Sequence, residues 1–119
     1  MPRSTLPVDL GRYGDNPDEI AALAFKYLRD DPRLAAERTY LAMHTALENL
    51  IGSTFRTDRA QAAAVAQLAK RSHKLAAQFN ELKSKLHGHC FYQAECDARS
   101  TRQTMVAAMA WISRLPSSL

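Results

Sequence analysis

Cysteine is scarce in this chain of 119 residues, with only Cys90 and Cys96 present. Two thiols are too few for the disulfide framework of a small secreted domain, so free thiols in a reducing compartment, the cytoplasm, are expected. Glycine is almost as rare, at four residues, and no repeat or low-complexity tract occurs. Those absences argue against a fibrous or disordered chain. Long hydrophobic runs are missing too: no stretch approaches the roughly 20 apolar residues of a membrane span. The opening "MPRSTLPVDLGRYGDNP" lacks the apolar centre of a signal peptide. The expectation is one ordered domain over residues 17–115, with an N-terminal extension over 1–16, a tail over 116–119 and no membrane contact.

Acidic residues thin out over residues 56–89. Arg56, Arg59, Lys70, Arg71, Lys74, Lys83 and Lys85 face only Asp58 and Glu81 there, and this imbalance accounts for the net charge of +4. Such a segment suits a phosphate-bearing partner, because cations that contact a nucleic-acid backbone release its counterions. The plain alternative is a solvated helix face.

What is present is helical punctuation. In "DNPDEIAALAFKYLRDDP", Asn16 is placed as an N-cap with Pro17 at the first helical position and Asp18 and Glu19 in the first turn. Asp31 and Pro32 repeat the same chemistry and predict a second helix reaching about Gly52, with Tyr40, Met43, Leu47, Leu50 and Ile51 on one stripe. A third helix is predicted from Thr57 or Asp58 to Gly88. Its Val65, Leu68, Ser72, Leu75, Phe79, Leu82 and Leu86 alternate steps of three and four, a heptad seam about 45 Å long. Gly88 would close it in a left-handed conformation. Ser100 and Gln103 have the spacing of a capping box, which opens a last helix carrying Met105, Ala108, Met109, Ile112 and Leu115 inward before Pro116. No strand pattern occurs. The expected fold is all-α, an antiparallel four-helix bundle with a long third helix.

Chemistry-bearing residues gather in "KLHGHCFYQAEC", Lys85 to Cys96. Three readings are open for it. His87, His89, Cys90 and Cys96 are zinc-type ligands, but their spacing matches no standard zinc pattern and no metal or other cofactor is expected. A catalytic reading uses His89 as general base. A structural reading makes the stretch a helix end with its His rings in water and Cys90 and Phe91 plugging the bundle. Elsewhere, His73 falls beside the heptad seam, with one edge packed. Met43, Met105, Met109 and Trp111 fit a core better than a cofactor site. Tyr40 is placed to direct its hydroxyl to a partner at the bundle edge. No glycine-rich phosphate loop is present, and Gly52 and Ser53 are not followed by the paired acids of a nucleotidyltransferase.

Two segments, "AAERTYLAMHTALENLI" and "HGHCFYQAECDARSTRQTMVAAMAWISRL", resemble the second helix and the closing segment of the HEPN family. These small helical domains occur with minimal nucleotidyltransferases, in toxin–antitoxin modules and in RNA-cutting defence proteins. The resemblance implies an RNA-directed, metal-independent endoribonuclease, cytoplasmic and homodimeric, with a minimal nucleotidyltransferase as partner. The family signature is an Arg, four to six residues, then a His. Here the matching positions are Lys83 and His89, with Tyr92 following one residue later than the family's usual tyrosine. A lysine neutralises phosphate without the planar fork that grips it, so cleavage is expected to be slow or degenerate. The resemblance thus makes Lys83, His89 and Tyr92 the candidate catalytic residues, and Lys70, Arg71, Lys74 and Lys85 the candidate RNA contacts. Arg38 and His44 also have the signature spacing, but about 100° per residue places them on different sides of the second helix. The alternative function is a non-enzymatic helical module for dimerisation or partner binding.

Overall fold

The structure is a computed structural model that describes residues 15–119. Most of the expected N-terminal extension therefore lies outside the described residues. Asn16 caps α1 (Pro17–Ala24): its Oδ1 accepts from the N–H groups of Asp18 at 2.9 Å and Glu19 at 3.4 Å. A 3₁₀ turn, Phe25–Tyr27, follows. Asp31 then caps α2 (Pro32–Ile51), its Oδ1 accepting from Leu34 N–H at 3.1 Å with Pro32 in the first turn. Gly52 closes α2 at φ 89°, a left-handed position where a Cβ would be strained.

Helix α2 is the hub. Met43 and Leu47 are fully buried on it, and Ala35, Ala36, Ala42 and Ala46 give neighbouring backbones room to approach. It packs against α1, against the closing segment after residue 83 and against the last helix. No strand occurs among the described residues.

The single long third helix is not what forms. α3 (Asp58–Arg71) and α4 (His73–Lys83) are separate helices joined at Ser72, whose backbone is extended at φ −154° and ψ 106°. Ser72 closes one helix and starts the next. Its N–H donates to Leu68 O at 2.8 Å, and its Oγ accepts from Leu75 N–H at 3.1 Å. Serine competes for helix hydrogen bonds and favours caps, so the small residue in the seam marks a break. The chain turns back there, since Lys83 at the end of α4 reaches Asp58 and Gln61 at the start of α3. Size excludes the long helix as well: a straight rod of about 45 Å exceeds the longest extent of the molecule, 38 Å. The seam residues still face inward, with Val65, Leu68, Phe79, Leu82 and Leu86 buried and Leu75 half-buried. They do so from two helices. His73, expected at the seam's edge, is exposed.

Gly88 does not end the helix either. After Lys83 the backbone widens into a π-helix, Ser84–Tyr92, and the left-handed residue that stops it is Ala94 at φ 58°. The chain folds back over that turn, bringing the Cα atoms of Cys90 and Cys96 to 5.0 Å and pairing the two cysteines in a disulfide. The expectation of free thiols is therefore corrected. Two cysteines make no framework, but a tight turn between them suffices for one bond.

The last helix, α5 (Ala98–Arg114), opens at Asp97 rather than Ser100. Asp97 Oδ1 accepts from Ser100 N–H at 2.8 Å while Asp97 N–H donates to Ser100 Oγ at 3.3 Å, so the capping box lies three residues earlier than the spacing implied. Fully buried Trp111 donates its Nε1–H to Leu75 O at 2.9 Å and packs on Phe79 with ring centroids 5.4 Å apart, which ties α5 to α4. In the tail, Arg71 donates to the carbonyls of Ser118 and Leu119.

The break at Ser72 carries a prediction of sign. Ser72→Ala loses the cap and should destabilise the protein by about 1 kcal/mol in urea unfolding. In an uninterrupted helix the same change would stabilise by a few tenths of a kcal/mol, so a gain would contradict the break.

Candidate functional site

Along α2, Glu37, Tyr40, His44 and Glu48 recur at steps of three, four and four, which places four polar side chains on one helical face. That face is covered. Glu37, Tyr40 and Glu48 are buried and His44 is half-buried. Buried polar groups need hydrogen-bond partners; α3, the π-helix and the loop at Phe55 supply them, except at Glu48 Oε1, which has none.

At one end, Glu48 Oε2 accepts from Phe55 N–H at 3.0 Å and lies 3.1 Å from His44 Nε2, which is also 3.1 Å from Phe55 O. Both of those neighbours of Nε2 are acceptors, so the network assigns the proton to Nε2 and leaves Nδ1 as an acceptor. Nδ1 meets the Nε2 amide of Gln61 at 2.8 Å. The same amide nitrogen donates to Tyr40 Oη at 2.8 Å, and Gln61 Oε1 accepts from Lys83 Nζ at 2.6 Å. Lysine has only donors, which fixes the orientation of the Gln61 amide.

The other end holds His87. Its Nδ1 lies 2.7 Å from Glu37 Oε1, and its ring packs on that of Tyr40 with centroids 4.5 Å apart. Tyr92, 68% exposed, stands edge-on to the His87 ring at 4.7 Å. Lys83 Nζ lies 5.9 Å from the Tyr40 centroid, so the Tyr40 ring carries the imidazole and the ammonium together. Lys83 also pairs with Asp58 at 3.3 Å, but that carboxylate is 93% exposed and its hold is weak. Arg33 anchors the segment by donating to Phe91 O through Nε at 2.9 Å and Nη2 at 2.5 Å.

Burial dominates the acidities. It pushes the Glu37 carboxyl above its ordinary value, against the opposing hydrogen bond and charge of His87. It also pushes Tyr40 from 10.0 to about 12, with Glu37, Asp58 and Tyr92 adding to the rise and the Gln61 bond opposing it.

The candidate residues separate on the structure. Lys83 and Tyr92 come together around Tyr40 and His87. His89 does not join them: it is exposed, its Nδ1 donating to Gln93 Oε1 at 3.2 Å with Glu95 Oε1 at 3.6 Å. Lys70, Arg71 and Lys74 sit at the Ser72 turn. Lys85, paired with Glu81 at 3.2 Å, lies at the far end of α4, about 16 Å along the axis. Arg56 and Arg59, exposed at the start of α3, share the Lys83 end. Of the four zinc-type ligands, His87 is engaged by Glu37 and the cysteines by each other. Among the described residues no three His, Cys, Asp or Glu converge to hold a metal.

Glu37, Gln61 and His87 are the members that spacing alone passes over. One signal was available: His87 follows Lys83 by four residues, one helical turn, whereas His89 follows by six. No protein-family model, curated protein or solved structure matches the chain.

The Tyr40 acidity gives a prediction. A raised tyrosine contributes stability that is complete below pH 10 and lost as the pH climbs through about 12. At about 1.4 kcal/mol per factor of ten, that is on the order of 3 kcal/mol. Subtracting the ultraviolet titration of Tyr40→Phe from that of wild type should leave one phenol with a midpoint near 12. A midpoint near 10 would place Tyr40 in water.

Proposed function

We propose that the chain is an RNA-directed domain of the HEPN-like kind that cleaves RNA slowly and without a metal, with His87 in place of His89 as the base. The Glu37–His87 pair, seated on Tyr40 one turn from Lys83, is the observation that carries this reading. Glu37 holds the Nδ1–H and thereby leaves a lone pair on Nε2, which makes no hydrogen bond to any described residue. Nε2 takes the proton of an RNA 2′-hydroxyl, the 2′-oxygen attacks the adjacent phosphorus, the P–O5′ bond breaks and the leaving 5′-oxygen takes a proton from water, while the proton on Nε2 returns to solvent. The products are a 2′,3′-cyclic phosphate and a free 5′-hydroxyl.

Lys83 neutralises the phosphate as a point charge, displacing the weak Asp58 contact. The exposed ring of Tyr92 offers a stacking face to a flanking base. Arg56 and Arg59 supply backbone contacts at the same end, whereas Lys70, Arg71 and Lys74 at the far turn reach only a longer strand. A toxin–antitoxin or defence setting, a minimal nucleotidyltransferase partner and a homodimer belong to the same reading.

A single-stranded RNA incubated with the protein in chelator should yield cyclic-phosphate ends, while its 2′-deoxy counterpart stays intact. His87→Ala should slow cleavage by about 10²-fold or more, the usual worth of a positioned base. Lys83→Ala should also slow it, and His89→Ala should leave it unchanged. Loss of activity in His89→Ala but not His87→Ala would reverse the assignment. No retention of RNA at any salt concentration would leave the interaction module as the function.

A further inference from the structure

The π-helix that carries His87 and Tyr92 is fastened at its end by the Cys90–Cys96 disulfide. We propose that this bond is a thiol-operated switch: opening it frees residues 92–96, removes the Tyr92 ring from His87 and turns the RNA face off. The effect on RNA rests on the function proposed above, whereas the structural effect stands without it.

Access comes first. Both cysteines line a cavity of about 330 Å³ together with Lys85, His89, Glu95 and Thr101, and Cys96 is the partly exposed member of the pair. A dithiol entering there attacks Cys96 Sγ as a thiolate. The S–S bond breaks, a mixed disulfide forms on Cys96, and Cys90 departs as the thiolate. The reductant's second sulfur then attacks the mixed disulfide and expels the Cys96 thiolate. The dithiol ends as a cyclic disulfide, and its two protons end on Cys90 and Cys96.

The leaving sulfur has partners waiting. Cys90 is 2% exposed, and its Sγ lies 3.6 Å from both Thr101 Oγ1 and Pro32 O. The hydroxyl stabilises the thiolate, and the carbonyl accepts from the thiol once it is protonated. Cys90 therefore stays docked, and the chain beyond it is what comes loose.

Arg33 holds Phe91, and beyond it the chain is tied back only by the exposed His89 side chain and by the N–H groups of Gln93, Ala94 and Glu95, which donate to the carbonyls of Gly88, Cys90 and His89 at 2.8–3.1 Å. Tyr92, Gln93, Ala94 and Glu95 are exposed, and Ala94 keeps a left-handed backbone that alanine adopts only when its surroundings impose it. α5 starts with its own capping box at Asp97, so the released piece has a firm boundary. No third cysteine exists to exchange with the pair. A bond of this kind persists under oxidising conditions and opens under reducing ones.

The test is amide hydrogen exchange on oxidised wild type, wild type in dithiothreitol without denaturant, and Cys96→Ser. Reduction and substitution should each speed exchange across residues 92–96, read at the bonded amides of Gln93, Ala94 and Glu95, by about tenfold or more, with α2 unchanged. Oxidised glutathione should restore protection in wild type only. A bond that resists dithiothreitol, unchanged exchange after reduction, or loosening that spreads through α2 would each overturn the switch. Run beside it, the RNA assay should find the oxidised form faster, and equal cleavage by both forms would also overturn the proposal. If neither form cleaves RNA while the exchange difference persists, the switch stands and the RNA function fails.

Discussion

Helix α2 buries a carboxylate, a phenol, an imidazole and a second carboxylate along one face, and each such group costs free energy unless the fold supplies a hydrogen-bond partner. Gln61 meets two of the four demands. Its amide nitrogen serves Tyr40 and His44 at 2.8 Å each, and its oxygen takes Lys83 at 2.6 Å. One carboxamide from α3 thereby links α2 to the end of α4, which requires α3 and α4 to lie back to back. The break at Ser72 is what permits this, because an unbroken helix would carry Lys83 far from Gln61.

The arrangement has a cost. Burial pushes the pKa of the Glu37 carboxyl above its ordinary value, so its contribution to folding is fully present in acid and fades as the pH rises through the folded-state value. Once ionised, Glu37 is a burden offset by the packing around it. A glutamine would avoid the burden; under the function proposed above, a carboxylate is favoured because it stabilises the cation formed when His87 takes a proton.

Local chemistry is legible in the sequence. The caps at Asn16 and Asp31, the prolines that follow them and the left-handed Gly52 fall where side-chain rules place them, because each depends on its immediate neighbours. Sites set by distant partners are not. The heptad arithmetic runs through Ser72 because two short helices can keep one numerical rhythm while reversing direction. Gly88 fails as a stop because the helix widens into a π-turn and ends at Ala94. The Cys90–Cys96 bond follows from that same turn. Spacing favours His89 over His87 because the partner that singles out His87, Glu37, lies 50 residues away. The polar stripe on α2 is within reach of the sequence: Glu37, Tyr40, His44 and Glu48 keep a helical period.

The central claim is that Glu37 fixes His87 with its proton on Nδ1 while the Gln61 network fixes His44 with its proton on Nε2. Long-range ¹H–¹⁵N correlation spectra of the oxidised protein, in alkaline buffer where each ring carries one proton, read the two tautomers directly. The account predicts opposite forms: Nδ1–H at His87, converting to a mixture in Glu37→Ala, and Nε2–H at His44. A His87 ring already averaging between tautomers in the wild type, or protonated on Nε2, would contradict it.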